Sequence, residues 1–342
     1  MHNTKQPHYI PETYSKNFCT EGTSPSTGFL YRKSVPEAVR RVQPKDWGKK
    51  NYYTALKKND GAMDTQTVEE IYCTSENEWP KLVKKFQNKE GLSIKEREDF
   101  FNFITLMVFR TPNFRMRYET SEADAFEEST KIALKNEEFL NNYIKNTKCD
   151  ENTKKRLKEE GYDLLQRGEA YAVANPEISL LEPLKFFSDI YDIFSDLNWV
   201  ILENTSPQEF ITSDNPVVWH DFIKTEKTRK FIPYGHGLLV PSIEVIFPLT
   251  NKLIAIGTRR ESKNKFSYEP LNPNSFVKKL NRYLVISAED FIFSSQGHLS
   301  KLVIKHKNVV PRTKFIKIPY KNGTITGTYT GLGSPHNLPK WD

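Results

Sequence analysis

From Phe100 to Phe109 the chain reads FFNFITLMVF, with Asn102 and Thr105 as the only polar residues. Ser93 and Glu96 stand just ahead of it at capping-box spacing, where each side chain accepts from the other's backbone N–H. A helix starting there is apolar around nearly its whole circumference, and such a helix is stable only when other elements surround it. Arg110-Thr111-Pro112 sets its end, because the proline ring disfavours helical geometry at Thr111. Arg110 thus leaves the core at a helix terminus whose dipole favours a cation. Two uses compete for it: binding an anion, or bridging a buried carboxylate.

Segments able to enclose that helix lie on both sides of it. His8-Tyr9-Ile10-Pro11 leads into Tyr14 and Phe18, four apart, so a short helix after the proline buries both. Residues 23–60 read mostly as loop, with one strand over 29–35. From Asp64 to about Phe86 the apolar spacing is helical, and Pro80 is expected to break or kink that helix. Glu69 and Glu76, seven apart, fall on one of its faces, which suits either a bound cation or plain solvent exposure. Residues 113–170 give charged amphipathic helices and 182–197 another, whose Leu184, Phe187, Tyr191 and Phe194 recur every three or four positions.

Beyond residue 198 the pattern favours strands. Segments 199–203 and 210–213 are expected to pair as a hairpin, as are 244–248 and 253–258. Residues 274–288 read as a helix, 302–304 and 315–319 as strands, and Asn322-Gly323 as a two-residue hairpin turn. The expected fold is α+β: a largely helical N-terminal half (about 1–197) packed on a mainly antiparallel β-sheet (about 198–330), one compact unit over 1–330, with a flexible tail at 331–342.

The sequence of 342 residues is long enough to bury a sizeable core. Its three cysteines, Cys19, Cys73 and Cys149, are far apart and odd in number, as expected of reduced thiols. No apolar run is long enough for a membrane helix, and MHNTKQPHYIP lacks the apolar core of a signal peptide, so a cytoplasmic location without membrane contact is expected. The net charge of +7 is compatible with a polyanionic partner without requiring one. Dinucleotide and phosphate-loop glycine patterns, a serine nucleophile elbow and zinc-ligand spacings are all absent. His298 and His306, with lysine neighbours, are expected at the surface.

Three stretches together resemble a known family. These are His8-Tyr9-Ile10-Pro11 with Tyr14 and Phe18, Phe109-Arg110-Thr111-Pro112, and Phe210-Ile211-Thr212-Ser213-Asp214-Asn215-Pro216 followed by Phe247-Pro248-Leu249-Thr250. The set is similar to the bacterial family catalogued as domain of unknown function 4238, over roughly residues 7–290. Val68-Glu69 and Glu76 resemble its paired-glutamate helix. The resemblance implies a shared architecture, helical first and mixed later, and no chemistry.

The polar residues of these motifs define the candidate site. If they converge, His8, Arg110 and Asp214 supply a base, a cation and a carboxylate for catalysis. Arg110, Ser213 and Asn215 would then hold substrate, and Glu69, Glu76 and Asp214 a divalent magnesium or manganese ion. The leading expectation is a metal-dependent, nuclease-like phosphodiester hydrolase, an effector in a defence or toxin setting with nucleic acid as partner. The alternative is a non-catalytic nucleic-acid- or protein-binding module in which the same residues form a structural network. In that case Arg110 pairs with Asp214 or Glu69 in the interior and Ser213-Asp214-Asn215-Pro216 closes a turn.

Overall fold

A computed structural model describes residues 6–58, 60–146, 148, 150–271, 274–320 and 323–333. Cys149, Asn322 of the expected turn, and 334–342 of the expected tail lie outside the described residues.

The chain opens with α1 (Glu12–Ser15), continued by a 3-10 turn over Lys16–Phe18, and Tyr14 and Phe18 are fully buried. Strands β1 (Gly28–Arg32), β2 (Arg40–Val42), β3 (Leu56–Lys57) and β4 (Met63–Asp64) precede the long helices α2 (Thr67–Gln87) and α3 (Ile94–Phe109). Next come α4 (Pro112–Leu134), α5 (Glu137–Asn146), α6 (Glu151–Arg167), α7 (Ile178–Leu181) and α8 (Phe187–Asp196). Strands then dominate: β5 (Asn198–Asn204), β6 (Thr212–Ser213) and β7 (Val218–Asp221), followed after α9 (Phe222–Thr228) by β8 (Ile243–Pro248), β9 (Leu253–Thr258) and β10 (Phe266–Leu271). The last elements are α10 (Asn274–Ser287), β11 (Phe291–Ser294), α11 (Ser300–His306), β12 (Val310–Tyr320) and β13 (Gly323–Gly333). The fold is therefore α+β, with helices mostly in the N-terminal half and sheets in the C-terminal half. Residues 331–333, read as the start of a tail, close β13. Among the described residues no helix is long and apolar enough to cross a membrane.

Where the sequence reading takes 1–330 as one unit, the described residues group into two. One comprises those up to Arg115, Leu180–Arg312 and those from Thr330 onward; the other comprises Met116–Ser179 and Thr313–Tyr329. Within the second unit, Lys131 pairs with Glu127 at 2.8 Å along α4, and the Lys135 ammonium lies over the Tyr162 ring of α6 at 4.5 Å.

The two larger sheets of the first unit are ordered β10-β5-β9-β8-β7 and β2-β1-β11-β6, and β3 pairs with β4 as a short ribbon. β5, β9, β8 and β7 are antiparallel, with Ile256 opposite both Val200 and Ile246, while β10 joins β5 in parallel. β9 is buried at every position, as its central place demands. The capping box forms as read: Ser93 Oγ accepts from the Glu96 N–H and the Glu96 carboxylate accepts from the Ser93 N–H at 2.9 Å. From there α3 runs through the core, with Phe103 stacked on Trp79 at 4.1 Å and Phe100 edge-on to Trp199 at 5.2 Å.

Three expectations are corrected. α2 is one helix running through Pro80, which is exposed, while Trp79, Leu82, Val83 and Phe86 on either side are buried. Packing of that face outweighs the missing N–H bond to the Glu76 carbonyl. Segments 199–203 and 210–213 do not form a hairpin: β5 pairs with β9 and β10, whereas β6 pairs with β11 in the other sheet, Ser213 opposite Ile292. Asn204 Oδ1, accepting from the Ser206 N–H at 2.9 Å, turns the chain out of the first sheet. Residues 302–304 belong to α11, because strand propensity over three residues is a weak constraint.

Truncating the ring at the centre of this packing, Trp79→Ala, is expected to lower unfolding free energy by about 3–5 kcal/mol, measured by urea denaturation. The Lys85 ammonium and the Ser93 donors hold the Glu96 carboxyl down to about 2, so its stabilising contribution is present above the ordinary value of 4.5 and fades below it. Glu96→Gln should lower the melting temperature at neutral pH, and the gap from wild type should narrow as pH falls from 4.5 toward about 2.

Candidate functional site

Three- and four-residue steps bring Glu69, Tyr72 and Glu76 to one face of α2. The end of α3 delivers Arg110 to that face, 2% exposed. Its Nη1 donates to Glu76 Oε1 at 2.5 Å, its Nη2 donates to the backbone carbonyl of His8, and its guanidinium lies 4.5 Å over the Tyr72 ring. Glu69 accepts from the Thr54 hydroxyl at 3.1 Å; burial raises its carboxyl above the ordinary range, with the Arg110 charge opposing. Burial likewise lowers the His8 pKa, so the ring is neutral near pH 7 and its Nε2–H donates to the Lys45 carbonyl at 3.2 Å. His8, Glu69, Glu76 and Arg110 are thus brought together, and His8 meets the arginine through its main chain.

Asp214, Ser213 and Asn215 belong to a second network. Asp214 follows β6 and is 2% exposed. Its Oδ1 accepts from the Glu289 N–H at 2.8 Å, and its Oδ2 from Asp290 at 2.7 Å and Phe291 at 2.9 Å. Burial pushes this carboxyl up to about 7 against the pull of those three amides. Ser213 Oγ accepts from the Asn215 N–H at 3.2 Å, and Asn215 Nδ2 donates to the Ser287 carbonyl at 2.9 Å. Both residues are buried.

The motifs hold one another. Tyr14 donates to the Pro248 carbonyl at 2.9 Å, which leaves the Thr212 hydroxyl, also at 2.9 Å, to donate to the tyrosine oxygen. Thr111 reaches Asn215 Oδ1 at 3.4 Å, and Arg110 reaches the carbonyl of His8. The three stretches singled out in the sequence, with the 247–250 segment that follows the third, are therefore joined by direct bonds.

The expected metal set is not assembled. Among the described residues no three His, Cys, Asp or Glu side chains are grouped as a metal site needs, Glu69, Glu76 and Asp214 included. The physical reason is that Asp214 faces the amides at the start of β11, whereas the glutamates face Arg110.

Sequence reasoning missed Lys33, Glu289 and Arg312. Lys33 is 3% exposed, and its Nζ donates to the carbonyls of Ile286, Ala288 and Val309 at 3.3, 2.6 and 2.7 Å. Glu289 accepts two bonds from Arg312, at 2.7 and 2.8 Å, and one from Asn113 at 2.9 Å. A lysine after a strand and a glutamate after a helix carry no local signal of burial. Tyr14 was visible as an apolar position, but its hydroxyl partners were not.

Asp214→Asn places an amide donor against backbone donors and removes the foremost of the negative charges acting on buried Lys33; a loss of about 3–5 kcal/mol is expected in chemical denaturation. Ser213→Ala, which removes one acceptor, should cost about 1 kcal/mol in the same assay. Among curated proteins and among solved structures, none matches this chain. A family model described as "Protein of unknown function (DUF4238)" matches residues 6–298, a span that takes in every motif of both networks, and the chain belongs to that family.

Proposed function

We propose that the chain is a non-catalytic binding protein for a polyanion, nucleic acid first among them, and that its motif residues are internal ties. Occupancy of the polar groups is the observation that carries this reading. The Asp214 carboxylate accepts three backbone N–H bonds, and both terminal nitrogens of Arg110 are engaged. A hydrolase built on these residues needs the same atoms turned toward a substrate. The charge balance of 50 Lys+Arg against 43 Asp+Glu supports an anionic partner, since it favours encounter with phosphates over a wide surface.

The test is fluorescence anisotropy with labelled single- and double-stranded DNA and RNA over a salt series, alongside a cleavage assay with and without magnesium or manganese. The expected result is binding to intact nucleic acid that weakens with salt, with a log–log slope of about −0.9 per phosphate contacted on duplex DNA. Metal-dependent cleavage that disappears in a folded Asp214→Asn variant would overturn the reading and restore the nuclease-like one.

A further inference from the structure

Three cations and a histidine, from segments far apart in sequence, surround one pocket of the first unit. Arg229 and Lys230 follow α9, where Arg229 turns the chain with φ of 54°. Arg282 projects from α10 and His306 is the last residue of α11. With Phe231 and Ile286 they line a cavity of about 320 Å³.

None of Arg229, Lys230 and Arg282 is ion-paired with a described carboxylate. Glu226 is held by Lys279 at 2.5 Å, though Arg229 is close enough to help keep it ionised. The Nε2 of His306 is closed off from solvent and has no hydrogen-bond partner in the structure. This histidine, expected in a surface strand, is instead half-buried at a helix end. Burial, with the charges of Lys305, Arg282 and Lys33, lowers its pKa to about 4, so near neutral pH the ring is uncharged, with one donor and one acceptor nitrogen.

We infer that this pocket binds a phosphomonoester carried on a flat, apolar body: a nucleoside monophosphate, or the phosphorylated end of a nucleic-acid strand. Three cations with no ion-paired carboxylate among the described residues suit a dianion, and guanidinium groups match phosphate oxygens in pairs. The cavity is larger than a phosphate alone and sits in the range of small-molecule sites. Its apolar part is backed by Phe231 stacked on Tyr283 at 3.8 Å, a rigid wall for a base. The inference rests on the binding-protein reading and narrows it to one place.

Isothermal titration of the full chain with AMP and with adenosine, and anisotropy with one oligonucleotide bearing either a 5′-phosphate or a 5′-hydroxyl, test it. Arg282 and Lys230 are exposed, so Arg282→Glu and Lys230→Glu should fold, as a melting curve checks, and Lys84→Glu on α2 serves as a charge-matched control. AMP is expected to bind at least about tenfold tighter than adenosine, with the preference lost in both pocket variants and kept in the control. If the phosphorylated oligonucleotide shows the same preference, strand ends are the source; if only AMP does, the pocket is a site for free nucleotides. Equal affinity for AMP and adenosine, or an AMP affinity unmoved by Arg282→Glu, overturns the inference. Oligonucleotide binding indifferent to the 5′-phosphate and to both variants would leave the general reading standing and remove the pocket from it.

Discussion

The arrangement of the first unit depends on one turn, Glu289 to Phe291, and on the two charges that grip it. Asp214 takes three of its amides, while Lys33 takes carbonyls of Ile286 and Ala288 just before it and of Val309. A chain that leaves a helix and enters a strand exposes N–H groups on one side and C=O groups on the other, and in the interior neither can turn to water. Here an anion collects the donors and a cation collects the acceptors. Asp290 completes the grip from its own side, accepting from Arg32 at 2.8 Å and from the Ser34 N–H at 2.8 Å, which fixes β1 against β11.

Burying a carboxylate and an ammonium is expensive, and the direction of both shifts shows it: burial drives Asp214 up to about 7 and Lys33 down to about 8. Such a pair adds little net stability compared with apolar residues of the same size. What it supplies is uniqueness of register, since β6 contributes only two residues to its sheet and would slide without a directional anchor. The same holds for Arg110, whose two terminal nitrogens fix the end of α3 against both α2 and the segment at His8.

The parts of this fold legible in the sequence were those decided within a few residues: the capping box at Ser93, the apolar α3, the hairpin of β8 and β9, and the helix over Asn274–Ser287. Periodicity placed Tyr14 and Trp79 in the interior for the same reason. What failed was pairing at a distance. Adjacent strand-like segments at 199–203 and 210–213 go to different sheets, a choice made by partners dozens of residues downstream. The candidate site shows the same limit: residue types pointed to a carboxylate partner for Arg110, but it is Glu76 rather than the expected Asp214 or Glu69, and nothing local reveals that the partners of Asp214 are amides rather than a metal or substrate. Arg229, Arg282 and His306 look like background charge until α9, α10 and α11 place them around one cavity.

The reach of the motif bonds also bears on how the chain comes into being. Tyr14 closes on Thr212 and Pro248 across 198 and 234 positions, and Arg110 closes on His8 across 102. During synthesis at about 5–20 residues per second, α3 emerges well before β5, β8 and β9 exist to cover it. For that interval its phenylalanines have only α1 and α2 for company, so a nascent chain of this design exposes its greasiest surface longest. Long-range closure of this kind slows folding, because the entropy of closing a long loop is spent before its contacts form.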